Sequence, residues 1–115
     1  MKKIKDFSII ALLCLIFTIF FMYPYLINNK LPLEHDTLFH LSRIEGYARA
    51  IRNYDFFPVI YPYKNNGFGY ASPLFYCDIF LLIPAVLYNL GLGVSTCYKI
   101  AVFLATYASS LTFYL

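Results

Sequence analysis

Residues 7 to 27 read Phe7-Ser-Ile-Ile-Ala-Leu-Leu-Cys-Leu-Ile-Phe-Thr-Ile-Phe-Phe-Met-Tyr-Pro-Tyr-Leu-Ile27, an uncharged run of 21 positions. At about 1.5 Å per residue a helix of this length spans the roughly 30 Å hydrocarbon core of a bilayer. A cleaved signal peptide is the competing reading, favoured by Met1-Lys2-Lys3-Ile4-Lys5. The apolar core exceeds the usual length of roughly 7 to 15 residues, however, and no small-x-small cleavage site follows it. Cys14 follows bulky Leu12 and Leu13 in mid-run, which is a poor lipoprotein signal. The expectation is a retained transmembrane helix.

Working outward, a second apolar run, Leu74 to Leu92, is interrupted only by Asp78, Pro84 and Asn89. A third, Ile100 to Leu115, is still apolar where the sequence stops. Hydrophobic residues make up 61% of the chain and charged residues 13%, about half the charged share of an ordinary soluble domain. A soluble core of this size could not hide so much apolar surface. These features predict an all-α integral membrane domain over 1–115, with transmembrane helices at about 7–27, 74–92 and 98–115 and a long outer loop over 28–73. The apolar end, without a polar flank, makes a fragment of a larger polytopic protein the expectation. The alternative is a small protein whose last helix ends at the interface on Tyr114 and Leu115, where aromatic residues are favoured.

Charge leaves the orientation open. Lys2, Lys3 and Lys5 precede the first helix and Lys99 the third, whereas Lys30, Arg43, Arg49, Arg52 and Lys64 lie in the long loop. Counting alone puts that loop in the cytoplasm, yet the cluster abutting the first helix often dominates. Cys14, Cys77 and Cys97 show no CxxC spacing and read as small apolar residues. There is no aromatic-basic nucleic-acid motif, no phosphate-cradling GxxxxGK[ST] loop and no internal repeat. A nucleic-acid partner has no support.

The chemistry gathers in the loop. Glu34-His35-Asp36-Thr37-Leu38-Phe39-His40-Leu41-Ser42-Arg43 holds two carboxylates, two imidazoles and a guanidinium. Leu41, Ile44, Ala48 and Ile51 recur at helical spacing, which predicts an amphipathic helix over about 37–53 capped by Asp36 or Thr37. Its apolar stripe would rest on lipid or on the tops of the membrane helices. Asp36, His40, Arg43 and Tyr47 would share a stripe roughly 60° wide, facing water or a cavity. Downstream, residues 55–76 carry Pro58, Pro62 and Pro73, Gly67 and Gly69, and many aromatics. Such a segment is not one regular element and reads as an extended aromatic loop with a turn at Asn66-Gly67. Aromatic anchoring at headgroup level and substrate binding are both open to it.

In order and spacing, these pieces resemble the opening of the GT-C class of polytopic glycosyltransferases. More closely, Asp36-x-x-x-His40-x-x-Arg43, Phe57-Pro58, Gly67-x-Gly69-Tyr70 and Pro73-Leu74-Phe75-Tyr76 resemble the membrane-protein family labelled pyruvoyl-tetrahydropterin-synthase-related. The resemblance covers about residues 1 to 95. It implies inverting sugar transfer from a polyprenyl-phosphate donor at the outer face of the plasma membrane, with the amino terminus and the turn near 89–99 cytoplasmic. An acidic residue of the first outer loop then acts as general base or helps hold a divalent metal, and the matching positions are Asp36 and Glu34. His40, Arg43, Lys64 and Tyr70 become candidate substrate-binding residues, with His40 and Arg43 orienting the carboxylate or offsetting charge on the departing phosphate. The class carries many more membrane helices, so this chain would supply part of an active site.

Plainer roles compete at each position. Asp36 can serve as a cap alone, and His40 and Arg43 can pair with Glu34 or Asp36 as interfacial charges. Glu45 and Arg49 have the spacing of an ordinary surface pair. Asp78, about one turn inside the second apolar run, is expected to line a cavity or meet a partner, because an acid in hydrocarbon is costly. From a different functional class comes a small noncatalytic membrane protein, an assembly partner or transporter subunit, whose loop binds membrane lipids or another protein.

Overall fold

A computed structural model describes residues 2–28, 31 and 36–114, with side chains from Phe7 onward. Among the described residues the chain is all helical, and its only extended pairing is an isolated antiparallel bridge between Tyr61 and Tyr70. The helices are α1 (Lys2–Ile27), α2 (Thr37–Arg52), the four-residue α3 (Ser72–Phe75), α4 (Leu82–Asn89) and α5 (Val94–Tyr114). Two compact units result. One comprises residues 1–31 and 102–115, the other residues 32–101.

In the first unit, α1 is the one described helix whose length and composition suit a membrane crossing, over Phe7–Ile27. It is apolar all round and little covered: Phe20 is 80% and Phe21 63% exposed, while Thr18 and Met22 are buried. Thr18 returns its hydroxyl to the Cys14 carbonyl at 2.8 Å, so the polar group is satisfied within the helix. The α5 end of this unit meets α1 through the Tyr107 hydroxyl, 3.4 Å from the Ala11 carbonyl oxygen.

In the second unit, α2 packs against α4 and against the aromatic loop. Ile44 and Ala48 are fully buried and Leu41 and Ile51 partly so, as the helical spacing requires. Burial goes further round the helix, to Arg43, Gly46, Tyr47 and Ala50. Much of the predicted amphipathic surface is therefore closed by protein. Gly46 explains one close approach: a Cβ there would stand 2.9 Å from Tyr61 Cδ2, inside contact distance of a ring that is itself buried. Beyond α2, Tyr61 and Tyr70 exchange backbone hydrogen bonds of 2.9 and 3.1 Å. They close a loop whose turn at Asn65–Gly67 is a single 3-10 turn.

The second predicted transmembrane helix is not one element. Tyr76 and Cys77 are extended between α3 and a 3-10 turn, Asp78–Leu81, that leads into α4. Pro84 gives part of the reason. It lacks an N–H and its ring clashes with the carbonyl four residues back, so α-helix is tolerated only from about one turn before it. The eight residues of α4 rise about 12 Å, well short of a bilayer crossing. Moreover, the Asn89 side-chain amide donates to the Ala48 carbonyl at 2.9 Å. That bond ties the end of α4 to α2 across 41 positions.

Candidate functional site

Arg43 is the hub of the described chemistry, and it does not face water. It is 5% exposed and Asp78 is 8% exposed. Arg43 Nε donates to Asp78 Oδ1 at 2.9 Å, and a second guanidinium nitrogen donates to the same oxygen. The Tyr61 hydroxyl donates to Asp78 Oδ2. Both carboxylate oxygens are thereby occupied, as a buried charge demands. Phe39 and Tyr76 flank the guanidinium carbon at 5.3 and 5.0 Å, adding cation–π attraction. Burial, then the hydrogen bond to Asp78, push the Tyr61 hydroxyl pKa well above its ordinary value. Arg43 is thus paired with Asp78. The sequence pointed to half of this, since Asp78 meets a partner, but it held no sign that the partner was Arg43.

His40 sits one turn earlier on α2, with Nδ1 3.4 Å from an Arg43 guanidinium nitrogen. The imidazole stacks on Tyr98, with centroids 6.2 Å apart, and meets Phe39 edge-on. His40 and Arg43 are therefore brought together, within an aromatic cage that also includes Tyr76.

Asp36 stands apart from this network. It occupies the N-cap position of α2, and its backbone carbonyl accepts the His40 N–H at 3.0 Å. The side chain makes no capping hydrogen bond. The carboxylate is exposed and has no partner among the described residues. Glu34, the other acid of the predicted pair, lies outside the described residues. The described residues assemble no group of three or more metal-binding side chains.

Lys64 and Tyr70 are not brought to Asp36 by any described contact. Lys64 lies 3.5 Å from Glu45, in place of the Glu45–Arg49 pair suggested by spacing. Arg49 instead lies over the Tyr63 ring at 4.3 Å. Tyr70 is spent on its bridge to Tyr61 and an edge contact with Phe39. Behind α2, Tyr47, Phe56, Phe57, Pro58, Pro73 and Asp78 help line an aromatic cavity of about 360 Å³. That cavity bears out the reading that Asp78 lines one. The Tyr47 hydroxyl, its pKa raised chiefly by burial, donates to the Phe56 carbonyl at 3.0 Å.

Comparisons with protein-family models, with curated proteins and with solved structures give no match to this chain.

Proposed function

We propose that this chain is the amino-terminal portion of a GT-C-type integral membrane glycosyltransferase, resembling the pyruvoyl-tetrahydropterin-synthase-related family, with a polyprenyl-phosphate sugar donor. Asp36 is the general base in this reading. The observation that carries it is the exposed Asp36 carboxylate, unpartnered among the described residues, on a helix anchored seven residues later by the buried Arg43–Asp78 pair. A base needs an open lone pair and a fixed position, and an anchored helix end supplies both. The carboxylate takes the acceptor hydroxyl's proton as the new bond forms, an effect typically worth about 10²- to 10⁴-fold. Arg43 acts here as an anchor and not as a phosphate ligand.

The membrane part of the proposal rests on α1, whose exposed apolar surface has no polar face to turn to water. In this reading α5, 21 residues long but less apolar than α1, is the partner crossing. The hydroxyls of Thr106, Ser110 and Thr112 return to carbonyls of their own helix, which suits them to hydrocarbon. The described residues 36–93 then lie together on the outer face. A second reading, a noncatalytic assembly partner, is favoured by the apolar exposure of Ile79, Phe80, Ile83 and Leu90 on and beside α4.

Comparing the full-length protein with its Asp36→Asn variant separates the two readings. The amide keeps the shape but cannot accept the proton. Sugar transfer from a polyprenyl-phosphate donor should fall by about 10²-fold or more, with expression and insertion unchanged. Near-normal transfer would remove Asp36 from catalysis, and absence of transfer by the unaltered full-length protein would favour the noncatalytic reading.

A further inference from the structure

The carboxyl-terminal end of α2 carries a second concentration of charge, unrelated to Asp36. Arg49 and Arg52 from α2, Tyr63 and Lys64 from the aromatic loop and Tyr88 from α4 line a cleft of about 310 Å³ together with Glu45. Three cations face one carboxylate, a surplus of two positive charges in the lining. Asp55 is close enough to act on the Tyr63 hydroxyl but is not part of the lining.

Arginines in a last helical turn often serve only the helix dipole. Here the terminal carbonyls are already occupied, because the N–H groups of Asn53, Tyr54 and Asp55 bond to Arg49, Ala50 and Ile51. The Arg49 guanidinium carbon lies over the Tyr63 ring, whose hydroxyl donates to the Gly46 carbonyl and so fixes the ring. That cation–π contact holds the exposed guanidinium without using its N–H groups, which suits bidentate capture of an oxyanion. Lys64 is held by a loose 3.5 Å contact to a half-exposed Glu45, an ion pair of small worth that an incoming anion can displace.

We infer that the cleft formed by Arg49, Arg52, Lys64 and Tyr63 is a binding site for a phosphate group carrying two negative charges. Arg49 is thirteen positions from Asp36, about 20 Å along the helix. The phosphate held here is therefore not the one that leaves during sugar transfer, and the site stands whether or not that activity does. A phosphomonoester matches the lining's surplus of two charges better than a singly charged phosphodiester. Its source is either a lipid headgroup or a soluble phosphate compound.

Titration of glycerol 3-phosphate, a soluble phosphomonoester, into the full chain, held in phosphatidylcholine nanodiscs at about 0.15 M salt, tests the inference. Arg49→Gln with Arg52→Gln should weaken binding by about tenfold or more. Lys3→Gln with Lys5→Gln removes the same charge elsewhere and should leave binding within about twofold. Glu45→Gln should strengthen it by about threefold, because Lys64 is released and a repelling carboxylate is lost. That gain does not depend on how the arginine variant folds. Including phosphatidate in the nanodiscs then distinguishes the sources. Displacement of glycerol 3-phosphate by phosphatidate supports a lipid headgroup site, and persistence of its binding supports a soluble ligand. Equal losses in the two double variants, no gain in Glu45→Gln, or no binding by the unaltered chain would overturn the site.

Discussion

Arg43 and Asp78 are 35 positions apart, and what each does depends on the other. Removing one partner of a buried pair strands the remaining charge, at a cost of about 3–5 kcal/mol. Asp78→Asn should accordingly destabilise residues 32–101 by that amount in chemical denaturation followed by circular dichroism. The double variant Arg43→Met with Asp78→Leu should recover most of it, since apolar residues of similar size often replace buried ion pairs at little cost. Equal losses in the single and double variants would show that the pair is not the anchor described. In the sequence, the expense of an acid inside an apolar run marked Asp78 as needing a partner. Nothing local marked Arg43 as that partner, because its neighbours Asp36 and His40 offered an equally good account of its charge. Burial of a long side chain is decided by what folds over it, here Tyr61, Tyr76 and Asp78.

Among the elements, α2 was the most legible, since helical spacing and the polar start gave Thr37 and an end within a residue of Arg52. How it stops was hidden. Tyr54 has a positive φ of 62°, and the N–H groups of Tyr54 and Asp55 close back on Ile51 and Ala50 at 3.0 Å each. This is the left-handed helix end that normally takes glycine. Tyr54 is 86% exposed, so its ring contributes little packing. Tyr54→Gly should therefore stabilise the fold by about 1 kcal/mol, seen as a higher denaturation midpoint, and a lower midpoint would mean that the ring has a role in the fold. The segment over 74–92 misled for a different reason. Hydropathy measures apolar content and is blind to the extended backbone at Tyr76 and Cys77, which breaks the run where Asp78 turns in to Arg43. Pro84 was the visible warning.

For the whole molecule, composition made the helical class and the first apolar helix legible, while the grouping of residues was not. Joining Ala48 to Asn89 across 41 positions is a tertiary event that no local pattern encodes. It helps join α2 to α4 within one unit, and the proposed outer-face placement puts the described residues 36–93 on a single face of the membrane. Single cysteines at Asn65 and Leu90, both exposed positions, test it most directly when Cys14, Cys77 and Cys97 are replaced. In intact cells an impermeant thiol reagent should label both cysteines, as the outer-face placement requires. Labelling of Asn65→Cys with protection of Leu90→Cys until lysis would restore a crossing between them and contradict the account.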